Sequence, residues 1–204
     1  MKIGPGVFVP VVGPSGAGKD SVMGFARDAF AQNGRIHFAR RVITRPASPE
    51  AEDHDTLSED DFRAVERQGG FALSWGSHGL FYGIPNGVND LIRNRGVVIA
   101  NLSRASVAES RTRYANVMPV LITVSSHIMA LRLAARGRES AADIEARIAR
   151  NASYCAFGED CHRIDNNGEL EEAGRAFVHL VMNALERATM SDAGIRTADR
   201  RASG

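Results

Sequence analysis

Short apolar runs alternate along this chain with longer stretches in which apolar residues recur every three or four positions. The short runs predict buried strands, at Val7–Val12, Ile36–Ile43, Val97–Asn101, Val120–Val124 and His162–Asp165. The longer stretches predict amphipathic helices, at Ser21–Gln32, Val88–Arg95, Ser103–Arg113, Ser126–Ala135, Asp143–Tyr154 and Glu169–Ala188. This alternation is typical of an α/β fold in which helices flank a five-stranded parallel sheet.

Two stretches interrupt the alternation. Residues 44–86 are polar and hold only a predicted helix near Glu59–Arg67 and short strands at Phe71–Trp75 and Leu80–Tyr82. A connection of this length is typical of a functional insert. The second stretch, at about 136–142, joins two predicted helices and is a candidate lid.

The same pattern predicts one domain over residues 1–190, with a core of 1–43 and 87–190. The tail at 191–204 has few apolar residues, and we expect it to be disordered. The pattern does not predict an oligomeric state.

Composition narrows the classes of function. The 204 residues are 44% hydrophobic and 24% charged, as in an ordinary globular domain, and the net charge of +1 argues against bulk binding to nucleic acid. No run of 18 apolar residues predicts a membrane span, and the N-terminal run lacks the features of a signal peptide. Cys155 and Cys161 fit neither a disulfide framework nor a zinc site, so we expect the protein to be located in the reducing cytoplasm.

The most specific motif follows the first predicted strand and opens the first predicted helix. It reads Gly13-Pro14-Ser15-Gly16-Ala17-Gly18-Lys19-Asp20-Ser21. Glycines allow successive backbone N–H groups to face phosphate oxygens, the helix N-terminus adds positive charge, and Lys19 reaches the β- and γ-phosphates. The spacing predicts a phosphate-binding loop for ATP rather than an ordinary strand–helix corner.

Asp20 departs from this motif, which has Ser or Thr at that position to contact Mg²⁺. A carboxylate is a hard oxygen ligand for the same ion. Alternatively, Asp20 stabilises the helix N-terminus by its charge, and Ser21 is a second candidate ligand for Mg²⁺.

Five arginines lie within 19 residues: Arg132, Arg136, Arg138, Arg147 and Arg150. Arg132 and Arg136 share a helix face because they are four residues apart. Phosphoryl transfer needs such charges around the migrating group. The alternative interpretation is a solvated helix face paired with nearby acidic residues.

These features resemble the guanylate kinase branch of the nucleoside monophosphate kinases. The segments that carry the resemblance are Gly13–Ser21, Thr44-Arg45, Phe81-Tyr82-Gly83, Arg132-Leu133-x-x-Arg136-Gly137-x-Glu139, Arg147 and Asp165-Asn166-Asn167. The resemblance implies a P-loop NTPase fold with a lid and a substrate-binding insert. It also implies that Lys19, Arg132, Arg136 and Arg147 act on the transferred phosphoryl group. By the same resemblance, Arg45 and Tyr82 hold the acceptor's phosphate and the segment around Asn166 lies near adenine.

The departures from that family concern the acceptor. The positions of the guanine-reading groups hold Leu73 and Ile84, which offer no hydrogen bond to a base. A second phosphate arginine is replaced by Ser48, and a tyrosine of the phosphate site by His54. The acidic pair that ends the third strand is replaced by Ala100-Asn101-Leu102-Ser103. Loss of acid there and gain of acid at Asp20 suggest a relocated Mg²⁺ ligand.

This combination is similar to the family of ribose 1,5-bisphosphate phosphokinases of phosphonate breakdown. The shared signature is Gly13–Ser21, Ile43-Thr44-Arg45, Glu52-x-His54, Leu73-Ser74-Trp75, Leu80-x-Tyr82-Gly83, Asn101-x-Ser103-Arg104-Ala105 and Arg136-Gly137-Arg138-Glu139. The resemblance implies transfer of the ATP γ-phosphate to ribose 1,5-bisphosphate, making 5-phosphoribosyl 1-diphosphate.

An acceptor with two phosphates and no base fits an insert that keeps Arg45, His54 and Tyr82. His54 is a candidate phosphate donor or, alternatively, a surface histidine. Arg40, Arg41 and Arg104 are further candidates for the second phosphate, unless they are plain surface charge. The rival hypotheses are a guanylate-type kinase, a non-catalytic binding module of the same fold and a small-sugar kinase.

Overall fold

The structure is a computed structural model that describes residues 1–46, 54–77, 79–136 and 160–190. Its nine strands within these ranges are β1 (Val7–Val12), β2 (Ile36–Phe38), β3 (Arg41–Ile43), β4 (His54–Thr56), β5 (Phe71–Ser77), β6 (Leu80–Pro85), β7 (Val97–Asn101), β8 (Val120–Thr123) and β9 (His162–Asp165). The helices described there are α1 (Lys19–Ala29), α2 (Glu59–Arg67), α3 (Val88–Arg93), α4 (Arg104–Arg113), α5 (Ser126–Arg136) and α6 (Leu170–Met190).

Five parallel strands form the core sheet, in the order β2-β7-β1-β8-β9. This confirms the predicted five-stranded parallel sheet. β1 lies at the centre of the sheet, and all six of its residues are buried. A strand covered on both faces reads as a continuous apolar run, which is why Val7–Val12 shows no polar alternation.

The two faces of β1 belong to two hydrophobic cores because successive side chains of a strand point in opposite directions. Val7, Val9 and Val11 pack beneath α1 and α6, whereas Phe8 and Val12 pack on the opposite side of the sheet. A stripe at Phe177, Val181, Ala184 and Ala188 supplies the buried face of α6.

The close packing of α1 against α6 depends on Gly174. A Cβ atom at this position would lie 2.5 Å from the ring of Phe25 on α1. Only glycine therefore fits at this contact.

A second sheet of four strands, in the order β4-β3-β6-β5, forms most of the insert. The single strand predicted over Ile36–Ile43 is wrong, because the chain leaves the core sheet after the bond from Ala39 N to Ile99 O. β2 pairs with β7, and β3 pairs with β4 and β6. The single predicted strand, which contains Arg40 and Arg41 near its middle, therefore corresponds to two strands in different sheets.

The insert is anchored to the core by the apolar pair Leu73 and Ile84. These residues are register partners between β5 and β6 and are fully buried. They share one hydrophobic cluster with Phe8 and Val98 of the core sheet. Burial on this scale stabilises the junction by about 1.5–3 kcal/mol for each large side chain.

Several predictions fall on residues that the structure does not describe. These are the helix at Asp143–Tyr154, the lid beyond Arg136 and the tail at 191–204. Among the described helices, none combines the length and the apolar character needed to cross a membrane.

Candidate active site

The phosphate-binding loop connects β1 to α1, as the sequence predicts. Gly13 has φ +154° and Gly18 has φ +82°, both in the region that disfavours other residues. A Cβ atom on Gly13 would lie 2.4 Å from the carbonyl oxygen of Ile122 on β8. The left-handed Gly18 is the N-cap of α1, so the first turn of that helix opens directly onto the loop.

Lys19 lies at the mouth of the loop. Its Nζ donates to the carbonyl oxygens of Gly13 and Pro14, at 3.0 and 3.1 Å. Lys19 also makes further polar or electrostatic contacts. The ammonium group is therefore placed over the backbone that surrounds the candidate phosphate site.

Asp20 is exposed in the first turn of α1, where its charge complements the helix dipole. The Nδ2 atom of Asn101 donates to Asp20 Oδ1 at 3.1 Å. Asn101 is buried at the end of β7, in the segment that replaces the family's acidic pair. The neutral amide therefore faces the carboxylate across the sheet edge and holds it in place.

Asn166 and Arg132 lie on the other side of the loop. Asn166 is buried, and its Nδ2 donates to the carbonyl oxygen of Ala17 at 2.7 Å. Arg132 on α5 donates from Nη2 to the Gly168 carbonyl at 3.5 Å, and its Nη1 lies 3.8 Å from where a Cβ of Gly18 would stand. Arg132, one of the predicted catalytic arginines, therefore lies against the loop.

A cavity of about 330 Å³ separates the loop from the insert. Its polar lining combines loop residues with side chains from β3, β5, β6 and the end of β7. The lining comprises Gly13, Ser15, Gly16, Gly18, Lys19, Asp20, Ser21, Arg41, Ile43, Arg45, Trp75, Ser77, Tyr82, Asn101, Leu102 and Ser103.

Arg45 and Tyr82, the predicted ligands of the acceptor's phosphate, both line this cavity. Arg45 Nε is buried and has no hydrogen-bond partner among the described residues. The ring of Tyr82 stacks on Trp75, with centroids 5.4 Å apart and planes 6° apart. Trp75 also forms part of the cavity wall.

His54 has a different position from the one that a direct phosphate ligand needs. It is buried on β4, so the interpretation as a surface histidine is wrong. Its Nε2 lies 3.4 Å from the carbonyl oxygen of Arg45, and it is not among the described residues that line the cavity. His54 therefore supports the backbone at Arg45.

The structure describes only the backbone of one predicted catalytic arginine, Arg136, and does not describe another, Arg147. The backbone of Arg136 ends α5, one turn beyond Arg132. Arg147 lies outside the described residues, as does Ser48. Their proposed roles remain predictions.

The sequence interpretation overlooked three contributors to the cavity: the side chain of Asn101, Ser77 and the exposed side of Trp75. The available signal was the alternation of strand residues. Trp75 and Ser77 are two apart on β5, and Asn101 ends a parallel strand beside the loop. Side chains at the carboxyl end of a parallel strand meet the ligand in such folds.

The fold and the loop define a P-loop kinase with guanylate kinase architecture. A crystal structure of guanylate kinase from Anaplasma phagocytophilum has a TM-score of 0.64 and 17% sequence identity, over 90% of this chain and 87% of that one. This likeness establishes the shared fold. No model of a known protein family matches the chain.

Curated relatives define the family more closely. The ribose 1,5-bisphosphate phosphokinase PhnN of Brucella melitensis is 47% identical over 174 residues, which is 85% of this chain and 91% of that protein. The protein of the same name from Chelativorans sp. is 43% identical over 188 residues, 92% of this chain and 90% of its own length. The chain belongs to the ribose 1,5-bisphosphate phosphokinase family and is a kinase.

Proposed function

We propose that this kinase transfers the γ-phosphoryl group of ATP to the 1-phosphate of ribose 1,5-bisphosphate, making 5-phosphoribosyl 1-diphosphate and ADP in phosphonate breakdown. An oxygen of the 1-phosphate forms a bond to the γ-phosphorus as the bond to the β–γ bridging oxygen breaks. The attacking oxygen is already anionic, so the step needs no general base. The protein's task is positioning and charge stabilisation.

The donor end is supported by the geometry of the loop. Its glycines and the N-terminus of α1 face the cavity, and Lys19 stands at its mouth. Arg132 lies against Gly18 and is suited to stabilise charge on the transferred group. Arg136 and Arg147 are proposed to stabilise the same charge. Asn166 stabilises the loop through its hydrogen bond to the carbonyl oxygen of Ala17.

The residues at the loop fit a magnesium ion. Asp20 offers an exposed carboxylate oxygen beside Lys19, with the Ser21 hydroxyl next in the chain. No group of three His, Cys, Asp or Glu side chains that could hold a metal is found in the described ranges. Magnesium is usually held by one or two protein oxygens together with nucleotide phosphates, so a sparse set suffices. When bound, the ion would neutralise phosphate charge.

The side chains at the acceptor end determine which substrate the protein accepts. The cavity offers arginines and stacked aromatic rings, whereas Leu73 and Ile84, in the place of the guanine readers, are buried in the core. A buried apolar pair leaves the hydrogen-bonding edge of a guanine unsatisfied, at a cost of about 1–3 kcal/mol for each group. This observation favours a baseless, multiply charged acceptor over GMP.

The decisive experiment is ³¹P NMR of the purified protein with ATP and Mg²⁺, offering ribose 1,5-bisphosphate and GMP in separate samples. We expect diphosphate resonances of the product only with the sugar. Phosphorylation of GMP alone would refute the proposal in favour of a guanylate-type kinase. A second sugar phosphate without a 1-phosphate, ribose 5-phosphate, serves as the negative control.

ATP binding distinguishes the kinase from a non-catalytic module of the same fold. The chain has only two lysines, Lys2 and Lys19, so amine labelling read by mass spectrometry reports on the loop directly. We expect ATP to protect Lys19, while exposed Lys2 serves as the internal control. Equal labelling of Lys19 with and without ATP would contradict occupancy of the loop.

A further inference from the structure

We propose that Arg41 binds the acceptor phosphate that is not phosphorylated, the 5-phosphate of the sugar, and so determines specificity for a bisphosphate. This inference rests on the proposed function. It assigns the two ends of the acceptor to two arginines: Arg45 at the accepting phosphate and Arg41 at the distal one.

The placement of the two arginines follows from strand geometry. Arg41 and Ile43 are two apart on β3, so their side chains share one face, and Arg45 follows in the bend after that strand. All three line the cavity. At about 3.3 Å per residue, the Cα atoms of the two arginines are separated by at most about 13 Å. Two cations separated by an apolar residue complement two phosphates separated by an uncharged ring.

The side chain of Arg41 is held on the floor of the cavity. Its Nη1 donates to the carbonyl oxygen of Asn101 at 3.4 Å, and its guanidinium lies 5.5 Å from the ring centroid of Tyr82. That ring in turn stacks on Trp75. A guanidinium has five N–H donors in a planar fork, so it can keep these contacts and still bind a phosphate.

Its neighbours in the sequence are less suitable. Arg40 is about half exposed, forms an ion pair with Asp55 at 3.0 Å and is absent from the described cavity lining. Arg104 is the exposed first residue of α4 and is also absent from that lining. Of the three arginines considered for the second phosphate, Arg41 is the one that reaches the cavity.

The acceptor can be divided to test this assignment. Ribose 5-phosphate carries only the phosphate assigned to Arg41, and ribose 1-phosphate only the one assigned to Arg45. Inhibition constants of both fragments, and kcat and KM for ribose 1,5-bisphosphate, are measured for wild type, Arg41→Gln and the matched control Arg40→Gln. Arg41→Lys keeps the charge but loses the fork, and thermal melting checks the fold of each variant.

We expect Arg41→Gln to raise KM for ribose 1,5-bisphosphate and the inhibition constant of ribose 5-phosphate by about 10- to 100-fold. In Arg41→Gln, the inhibition constant of ribose 1-phosphate and the KM for ATP should stay within about threefold of wild type. Arg40→Gln should leave the inhibition constants of both fragments unchanged. We expect Arg41→Lys to fall between wild type and Arg41→Gln, and it replaces that variant if Arg41→Gln does not fold.

Equal weakening of both fragments, or a fall in kcat at unchanged KM, would overturn the assignment. So would unchanged binding of ribose 5-phosphate. Failure of the proposed function is distinguishable, because it appears as a wild type that does not phosphorylate ribose 1,5-bisphosphate. In that case calorimetry of ribose 5-phosphate with wild type and Arg41→Gln still tests whether Arg41 binds a sugar phosphate, and equal affinities would refute it.

Discussion

The phosphate-binding loop and the acceptor wall face each other across one cavity but are built in different ways. The loop is nine consecutive residues whose conformation depends on glycines and on the start of α1. The wall proposed to bind the acceptor combines β3, the β5–β6 hairpin and the end of β7, which come from separate parts of residues 41–103. Local chemistry therefore defines the donor site, whereas packing of distant elements defines the acceptor site.

Under the proposed function, the same contrast explains how a shared fold takes a different acceptor. The donor side keeps the loop and Arg132. On the acceptor side, Leu73 and Ile84 have joined the hydrophobic core, and the cavity is lined instead by Arg41, Trp75 and Asn101. Substitutions in the two regions should therefore affect different measurable properties.

The largest effect is expected at Lys19 of the loop. Lys19→Ala should lower kcat by about 10³-fold, or about 4 kcal/mol, because the charge that reaches the transferred phosphoryl group is removed. Steady-state kinetics with ATP and ribose 1,5-bisphosphate measures this. Lys2→Ala removes the other lysine and should leave kcat unchanged. A loss below about tenfold in Lys19→Ala would contradict the proposed role.

The loop backbone is tested by a pair of glycines. Gly18→Ala should lower the free energy of unfolding by about 1–3 kcal/mol, because φ is +82° and the added Cβ would clash with Asn166 Nδ2. Gly24→Ala on α1 meets no atom within 4 Å and should stabilise by about 0.5–1 kcal/mol. Urea unfolding measures both, and equal effects would show that the loop tolerates a side chain.

The contact between the two regions is tested at Asp20. Asp20→Asn should raise the Mg²⁺ concentration for half-maximal activity about tenfold, or about 1.4 kcal/mol, and weaken binding of Mg²⁺·ATP measured by calorimetry. Asn101→Ala keeps the charge but removes the bond that holds it at 3.1 Å, so we expect a smaller shift. An unchanged Mg²⁺ dependence in Asp20→Asn would place the ion elsewhere.

The smallest effect is expected within the insert, at Glu66 of α2. Hydrogen bonds from Ser74 and Arg63 hold the pKa of Glu66 below its ordinary range. Because the folded pKa is lowered, the stabilisation is present above the ordinary carboxyl pKa of about 4.3 and is lost as pH falls through the folded value. Glu66→Gln should cost less than about 1 kcal/mol at pH 7, since the group is partly exposed, and a smaller amount at pH 3.

Urea titrations at both pH values measure this difference. Glu186→Gln, at an exposed position on α6, is the control and should show no comparable change. A cost for Glu66→Gln that is equally large at pH 3 would show that the carboxylate charge is not responsible.

The predictions from sequence succeeded where the determining interactions are local or periodic. The buried run at β1 and the glycines after it indicated the strand, the loop and the start of α1. The pattern failed at Ile36–Ile43, where one predicted strand forms β2 and β3 in two sheets. The sequence pattern does not reveal which partner strand each half of a run will meet.

In the candidate site, likewise, the sequence identified residues in local motifs but not the contacts between distant segments. Lys19, Asp20, Arg45 and Tyr82 were identified from motifs, and all four line the cavity. Asn101 was noted as the replacement of an acidic pair and within the shared signature, but its bond to Asp20, which joins residues 81 positions apart, was not predicted. His54 was expected near phosphate, but β4 buries it beneath the backbone of Arg45.

The sequence by itself determined the phosphate loop and most of the strands and helices, because each depends on residue type at a fixed spacing. Only the tertiary structure decided which arginines line the cavity and what holds Asp20. Those features depend on which strand edges meet, and burial of Leu73 and Ile84 against the core fixes how the second sheet meets the first.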